Sequence, residues 1–470
     1  MLSLSPSESP PLHLHLISFE PAARRAQALA ASHSSGPSTP APVNGTANTS
    51  RNTLTFHSLG PLSLFTSISA NGLIDRHGPA SLFARGGLKS YRFLAELFGF
   101  NPELYVGVYE HILAIFKEMG RVDVAVVDLT MPIGMDACQT AGVRWGILCP
   151  NSGLELSKFD QPRLRGFWKF PAPYSNIAYP APLHLIPYNI ALNLAWLRTL
   201  QTHPRMKALE QQRAKAGIKG ALLDKPFKQL PFMICASVKE MEYPHVPLQN
   251  VVYPGPILVP VPPLSTTECP VLAGFLDKER TIVINMGSNF WYTHEDVEGV
   301  LGAIESARTR CPRPFQVLWK LNGKKEFEDV LETRLHGELR DSVRIEEWIN
   351  PPALAVLQHH NVTAFVSHGG ANSVHEAAYA GVPQILLPQW LDLYDYAIRV
   401  EWLGHGIYAN KGFPAKINSA RLSDAFVRIL SDEEGGAMKR KALEIAQACQ
   451  RGGGVDTVAK TIMDAVRSAK

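Results

Sequence analysis

The chain has 470 residues, of which 46% are hydrophobic and 19% charged, and 46 Lys+Arg against 42 Asp+Glu leave a net charge of +4. That is enough apolar material for at least one full-sized core, and the length suggests two or three domains. The near-balance of charge argues against a mainly disordered chain, a collagen-like repeat and a charge-driven nucleic-acid binder.

In chain order, Leu12–Ser18 (LHLHLIS) reads as a strand, EPAARRAQALAA as a helix, and Thr53–His57 (TLTFH) as a second strand. Between them, residues 32–52 are rich in Ser, Thr, Pro, Gly and Asn, lack an apolar period and read as a flexible loop. Residues 61–120 are helix-rich and aromatic. Short apolar runs at Val122–Val127, ending in Asp128, and at Trp145–Leu148 are separated by one helical segment, as in parallel βαβ units. Residues 253–270 hold six prolines, which neither a helix nor a central strand accommodates. Beyond this strap, strands are expected at 281–286, 315–319, 343–346, 362–367, 384–387 and 407–409, with helices between most of them. The predicted organisation is α/β: an N-terminal domain at 1–256, a Pro-rich linker at 257–270, and a C-terminal domain at 271–470 with closing C-terminal helices.

Six scattered cysteines with no C-x-x-C pair suit reduced thiols rather than a disulfide framework or zinc site. No apolar run approaches the roughly 18–20 residues that span a bilayer. The opening MLSLSPSESPP lacks the basic start and apolar core of a secretory signal. A cytoplasmic protein is expected, with no transmembrane segment and no nucleic-acid partner.

The segment Val362–Lys411 carries the chemistry. A buried strand ends at Ser367, His368-Gly369-Gly370 makes a tight turn, and Asn372 or Ser373 is expected to cap a helix containing Glu376. Glycines admit close backbone approach, and a helix N-terminus presents free N–H groups and a positive dipole end. Together they suit a phosphate. His368 could add a donor, and Glu376, one turn in, could accept from a ribose diol. A Gly-Gly turn also occurs where it merely reverses the chain, so spacing alone does not name the ligand.

The pattern H-G-G-x-N-S-x-x-E, then G-V-P, then P-x-W-x-D resembles the nucleotide-sugar signature of UDP-glycosyltransferases with the GT-B fold. The form WLDLYDYAIRVEWLGHGIYANK is similar to the fungal branch acting on small lipophilic acceptors such as secondary metabolites or sterols. VVDLTMP, LCPNSG and ICASVKEMEYPHVPLQNVVYPGPIL extend the resemblance upstream. It implies two Rossmann-like parallel-sheet domains facing each other across a cleft. It also implies that Trp348 stacks on uracil and that His368, Gly370, Asn372 and Ser373 bind the diphosphate. Ser288 would bond a phosphate, Glu376 the ribose and Asp392 the donor-sugar hydroxyls. Two positions depart from the plant form: Ile349-Asn350-Pro351-Pro352 replaces the segment after the tryptophan, and Leu393 stands where a Gln is usual, leaving the sugar open.

The implied reaction is inverting transfer of a hexose, glucose in the first instance, from a UDP-sugar to a hydroxyl of a small lipophilic acceptor. No metal and no cofactor besides the donor co-substrate is expected. A positioned base must take the hydroxyl proton. The resemblance supplies a His after the first strand, oriented by an Asp that Asp128 matches. The His itself is not found: LHLHLISFE matches the second strand, so the first strand–helix unit is expected to be missing through truncation. His13 and His15 share one sheet face at period two and read as structural. A donor-binding protein without the base, and a UDP-sugar 2-epimerase, remain as alternatives. Several carboxylates facing the sugar would mark the epimerase, and the aromatic, acceptor-like segment argues against it.

Overall fold

The computed structural model describes residues 12–32, 45–49, 52–61, 76–83, 87–259, 261–262, 264, 269–412 and 415–468. The N-terminal half carries β1 (His13–Ser18), β2 (Gly45–Thr49), β3 (Asn52–Ser58), β4 (Ala125–Asp128), β5 (Trp145–Cys149), β6 (Met233–Cys235) and β7 (Val251–Val252). These form two sheets. One has the order β1-β3-β2, with β1 parallel and β2 antiparallel to β3, and the other runs β4-β5-β6-β7, all parallel. Among the described residues no strand joins β1 to β4, so both have an open edge. β1 is largely exposed and Val126 of β4 is 39% exposed, whereas central parallel strands are normally covered on both faces. Phe19 just past β1 and Val127 of β4 nonetheless join one apolar cluster.

Within 32–52, expected as a flexible loop, Gly45–Thr49 is a strand, while 33–44, 50 and 51 lie outside the described residues. An edge strand needs only backbone pairing on one side, so GTANT carries no apolar alternation to reveal it. The strands β6 and β7 are too short to show a period. In the segment 61–120, Tyr91, Phe100 and Tyr105 are core residues. Residues 62–75 lie outside the described set.

The C-terminal half holds β8 (Thr281–Asn285), β9 (Gln316–Lys320), β10 (Val343–Glu346), β11 (Val362–Ser367), β12 (Gln384–Leu386) and β13 (Gly406–Tyr408) in one parallel sheet of order β10-β9-β8-β11-β12-β13. TIVIN, QVLWK and VTAFVS are buried almost throughout because helices cover both faces. The chain winds outward from β8 in one direction and from β11 in the other. The switch point is therefore the crevice between the C-terminal ends of β8 and β11, where open α/β sheets bind ligands. Of the closing helices, Glu434–Arg451 packs Met438 in the main apolar cluster and, through Ile445, Ala448 and Cys449, also meets Val238 and Met241 of the N-terminal half. The last, Gly454–Arg467, crosses back: Ala465 packs with Phe232 and Ile234, and Arg144 Nη1 donates to the Ala465 carbonyl at 3.2 Å. Its small buried face, including Ala459 and Ala465, lets it lie close to the N-terminal sheet.

The N-terminal core is tied by a buried ion cluster that sequence patterning did not reveal. Asp136 accepts two bonds of 2.9 Å from Arg213, and also bonds Lys225 and the Tyr105 hydroxyl. All these groups lie away from solvent; the more exposed Glu210 also pairs with Arg213, and Asp136 bridges both cations. Asp136→Ala should lower unfolding stability by about 3–5 kcal/mol by stranding them; a shift of the denaturant midpoint corresponding to less than about 1 kcal/mol would show the cluster to be solvated.

Candidate nucleotide-sugar site

Two turns meet at the switch point. After β8, Gly287 has φ +84° and leads to exposed Ser288. After β11 come His368, Gly369 (φ +89°) and Gly370. A Cβ on Gly287 would lie 2.7 Å from His368 Cε1, and one on Gly370 would lie 2.7 Å from His368 Nε2. The imidazole is thus held between two glycines, closer than any side chain would allow. The two turns thus bring Gly287, which precedes Ser288, and Gly370 against His368.

The helix that follows is Ala371–Ala380, and its N-cap is Gly370, which has no side-chain cap bond. Neither Asn372 nor Ser373 caps it, contrary to expectation. Val374 N–H is bonded to the Gly370 carbonyl, so Asn372 and Ser373 lie inside the first turn. The amides of 371–373 precede any intrahelical partner and point toward the crevice. The absent cap leaves donors available at a positive dipole end, which suits an anion better than a capped helix would. Glu376 is half-buried one turn further, and burial pushes its carboxyl above the ordinary value.

His368 has a buried Nδ1 without a hydrogen-bond partner among the described residues. Burial first, then the Lys320 charge, pulls the imidazole down to about 4, so it is neutral at physiological pH. Lys320, which sequence reading did not single out, ends β9 beside β8. Its Nζ donates to the Gly287 carbonyl at 3.3 Å and lies 3.9 Å from the Trp348 ring centroid. Asn322 Nδ2 bonds the same carbonyl at 3.1 Å. Trp348, just after β10, is 61% exposed and so is not a core residue. One signal could have exposed Lys320: a charge directly after the apolar run Val317–Trp319, on the ligand edge of a parallel sheet.

A cavity of about 1130 Å³ opens between the halves. Leu94, Phe98, Met135, Leu154, Trp196 and Leu200 give it an apolar N-terminal wall, and Leu391, Asp392, Asp395 and Ile398 form the opposite one. Phe159 and Tyr174 line it, whereas Phe170 is a core residue, 1% exposed, and Phe167 packs on the Phe159 ring at 5.0 Å. Trp168 is half-turned to the surface, bonding the Arg163 carbonyl.

Asp392 is half-buried here, and desolvation between the halves pushes its carboxyl up to about 6. Glu155 faces the same cavity and is pushed up to about 8 by desolvation and then by Asp392. Leu393 is buried at 3% exposure, and its carbonyl packs against Gly369. The substitution at the usual Gln position thus serves packing.

Asp128 ends β4, and its Oδ1 accepts from Thr130 N–H at 2.8 Å and Thr130 Oγ1 at 2.6 Å. It caps that turn, and Leu129 and Thr130 beside it line the cavity. His13 bonds Thr53 and His15 bonds His57, both across β1 and β3. Among the described residues Asp277, His359 and His360 form a cluster able to hold a metal, but it lies at the opposite end of β8 and β11. No helix of the described residues is long and apolar enough to cross a membrane.

A family model described as UDP-glucoronosyl and UDP-glucosyl transferase matches residues 200–446. The chain is 31% identical over 380 residues to the glycosyltransferase sdnJ of Sordaria araneosa, covering 75% of this chain and 73% of that one. It is 26% identical over 373 residues to the mouse 2-hydroxyacylsphingosine 1-beta-galactosyltransferase, covering 73% of this chain and 59% of the other. Among solved structures it is similar to a glycotransferase of kitacinnamycin, with a TM-score of 0.58, 16% identity, and 97% and 100% of the two chains covered. It is also similar to a UDP-glucose: anthocyanidin 3-O-glucosyltransferase in complex with UDP, with a TM-score of 0.56, 17% identity, and 97% and 99% covered. These likenesses show the GT-B fold, and with the family match they establish that the chain belongs to the UDP-glucoronosyl and UDP-glucosyl transferase family.

Proposed function

We propose that this chain transfers a hexose, with glucose the first candidate, from its UDP donor to a hydroxyl of a small lipophilic acceptor, with inversion and without a metal ion. The observation that carries the reading is the uncapped start of the helix Ala371–Ala380 at the switch point, bordered by Ser288, His368 and Gly370. The amides of 371–373, with Asn372 and Ser373, take the diphosphate, and Ser288 bonds a phosphate oxygen from the facing turn. Exposed Trp348 offers a ring face to uracil. Glu376 accepts from the ribose, and Asp392 from hydroxyls of the sugar. The apolar wall of the cavity suits a phenolic, polyketide or sterol acceptor.

In the transfer, the acceptor oxygen attacks the anomeric carbon as the bond to UDP breaks. The acceptor proton passes to a base, and UDP leaves with the bonding electrons. Asp128 would orient that base from the end of β4. Among the described residues β1 and β4 each keep an unpaired edge, and Asp128 is bonded to Thr130 rather than to a histidine. That bonding favours a second reading for the chain as it stands: it holds the donor and does not turn it over. The carboxylates Glu155, Asp392 and Asp395 would also suit an epimerase, and the family match to transferases separates the two.

Two outcomes check this. With UDP-glucose and a panel of phenols, the chain should release UDP, and His368→Ala should cut that release by on the order of 100-fold. Tight UDP binding with no release for any acceptor supports the donor-binding reading, and undiminished release by His368→Ala contradicts the site. Because Asp392 is a carboxylate only above about pH 6, the KM for the donor should rise as pH falls through that value. Asp392→Asn should abolish this limb, and a wild-type KM that is flat between pH 5 and 7.5 would remove Asp392 from the sugar.

A further inference from the structure

Lys320 is 5% exposed, yet among the described residues no carboxylate forms an ion pair with it. Its recorded partners are the Gly287 carbonyl, at 3.3 Å from Nζ, and the Trp348 ring, at 3.9 Å. A buried ammonium without a counter-charge is costly, and burial accordingly pulls Lys320 below its ordinary value. Other cations near the cleft are engaged: Arg399 with Glu242 at 3.1 Å, Arg76 with Asp296 at 2.7 Å, and Lys158 with the Pro171 carbonyl at 2.5 Å. His368, held neutral, adds no charge. The first-turn amides supply only the partial charge of a helix end. Among the described residues, the ammonium recorded beside the Gly287–Ser288 turn without an ion-pair partner is therefore that of Lys320, against the ring proposed to cover uracil.

We propose that Lys320 is the counter-charge of the donor's diphosphate, its ammonium binding an anionic oxygen between the Gly287–Ser288 turn and the helix start. This rests on the donor-site reading above and adds a charged contact to it. The carbonyl of Gly287 and the face of Trp348 hold the ammonium in place before the donor arrives, so little side-chain ordering is left for the binding step. A neutral nucleoside gains nothing from this charge, whereas a nucleoside diphosphate gains a charge-assisted bond.

Calorimetric titration of the full chain with UDP and with uridine separates the roles. Lys320→Met should weaken UDP on the order of 10–100-fold, while uridine binding changes by no more than about threefold. Lys320→Arg should keep most of the UDP affinity. Uridine binding by Lys320→Met also reports that the variant is folded. Equal losses for both ligands would make Lys320 a prop for Trp348 and overturn the assignment. Unchanged UDP affinity would overturn it as well. A wild-type chain that binds uridine and UDP equally removes the counter-charge alone, whereas one that binds neither overturns the donor site beneath it.

Discussion

The imidazole of His368 sits where only two glycines can flank it, and the placement of the whole crevice follows from that contact. Gly287 adopts a left-handed backbone after β8, and Gly370 begins the helix after β11. Each lies so close to the ring that a methyl group would collide with it. The two turns are therefore fixed relative to each other at the strand-order reversal. Amides, hydroxyl and imidazole converge there without any of them being spent on capping the helix. A conventional N-cap would stabilise that helix by roughly 1 kcal/mol and would occupy the donors that make the crevice useful.

The second half of the site depends on how the two lobes are clamped. Arg399 reaches Glu242, Tyr394 Oη donates to the His77 carbonyl at 2.6 Å, and Tyr174 N–H donates to Asp395 at 3.0 Å. The helix Gly454–Arg467 ties the C-terminal end back to β6. These contacts bring an apolar wall from one lobe against a carboxylate-bearing wall from the other. The same enclosure raises Asp392, because water that would solvate its charged form is displaced. The geometry and the electrostatics of the cleft thus have one cause. The discordant feature is the exposure of β1 and β4, since the parallel strands of the C-terminal sheet are largely buried whereas β1 has no buried residue and Val126 of β4 is exposed.

Much of this was legible in the sequence. The six C-terminal strands stand out because parallel strands buried on both faces read as short apolar runs. The HGG turn stands out through the His, Asn-Ser and Glu at fixed offsets around it, since a glycine pair before a helix by itself often only reverses the chain. Legibility failed where a side chain's role depends on what lies across space. Nothing local shows that Asn372 sits inside the first turn rather than capping it, because Gly370 serves as N-cap equally well. Lys320 looks like an ordinary strand end until β8 and β10 are placed beside it. The Asp136–Arg213–Lys225 cluster joins residues far apart in sequence, and no periodicity records it. The strand β2 does not show in the sequence because edge pairing asks nothing of its side chains, and aromatic content does not distinguish a cavity wall such as Tyr174 from a core residue such as Phe170.

The central claim is that the unbonded amides at the start of the helix Ala371–Ala380 hold a diphosphate while the Trp348 ring covers its uracil. A crystal structure of the chain with UDP tests it most directly. The account predicts phosphate oxygens within about 3 Å of the backbone nitrogens of residues 371–373, with the uracil lying on Trp348. Electron density for UDP elsewhere, or a crevice left empty while UDP is bound, would contradict it.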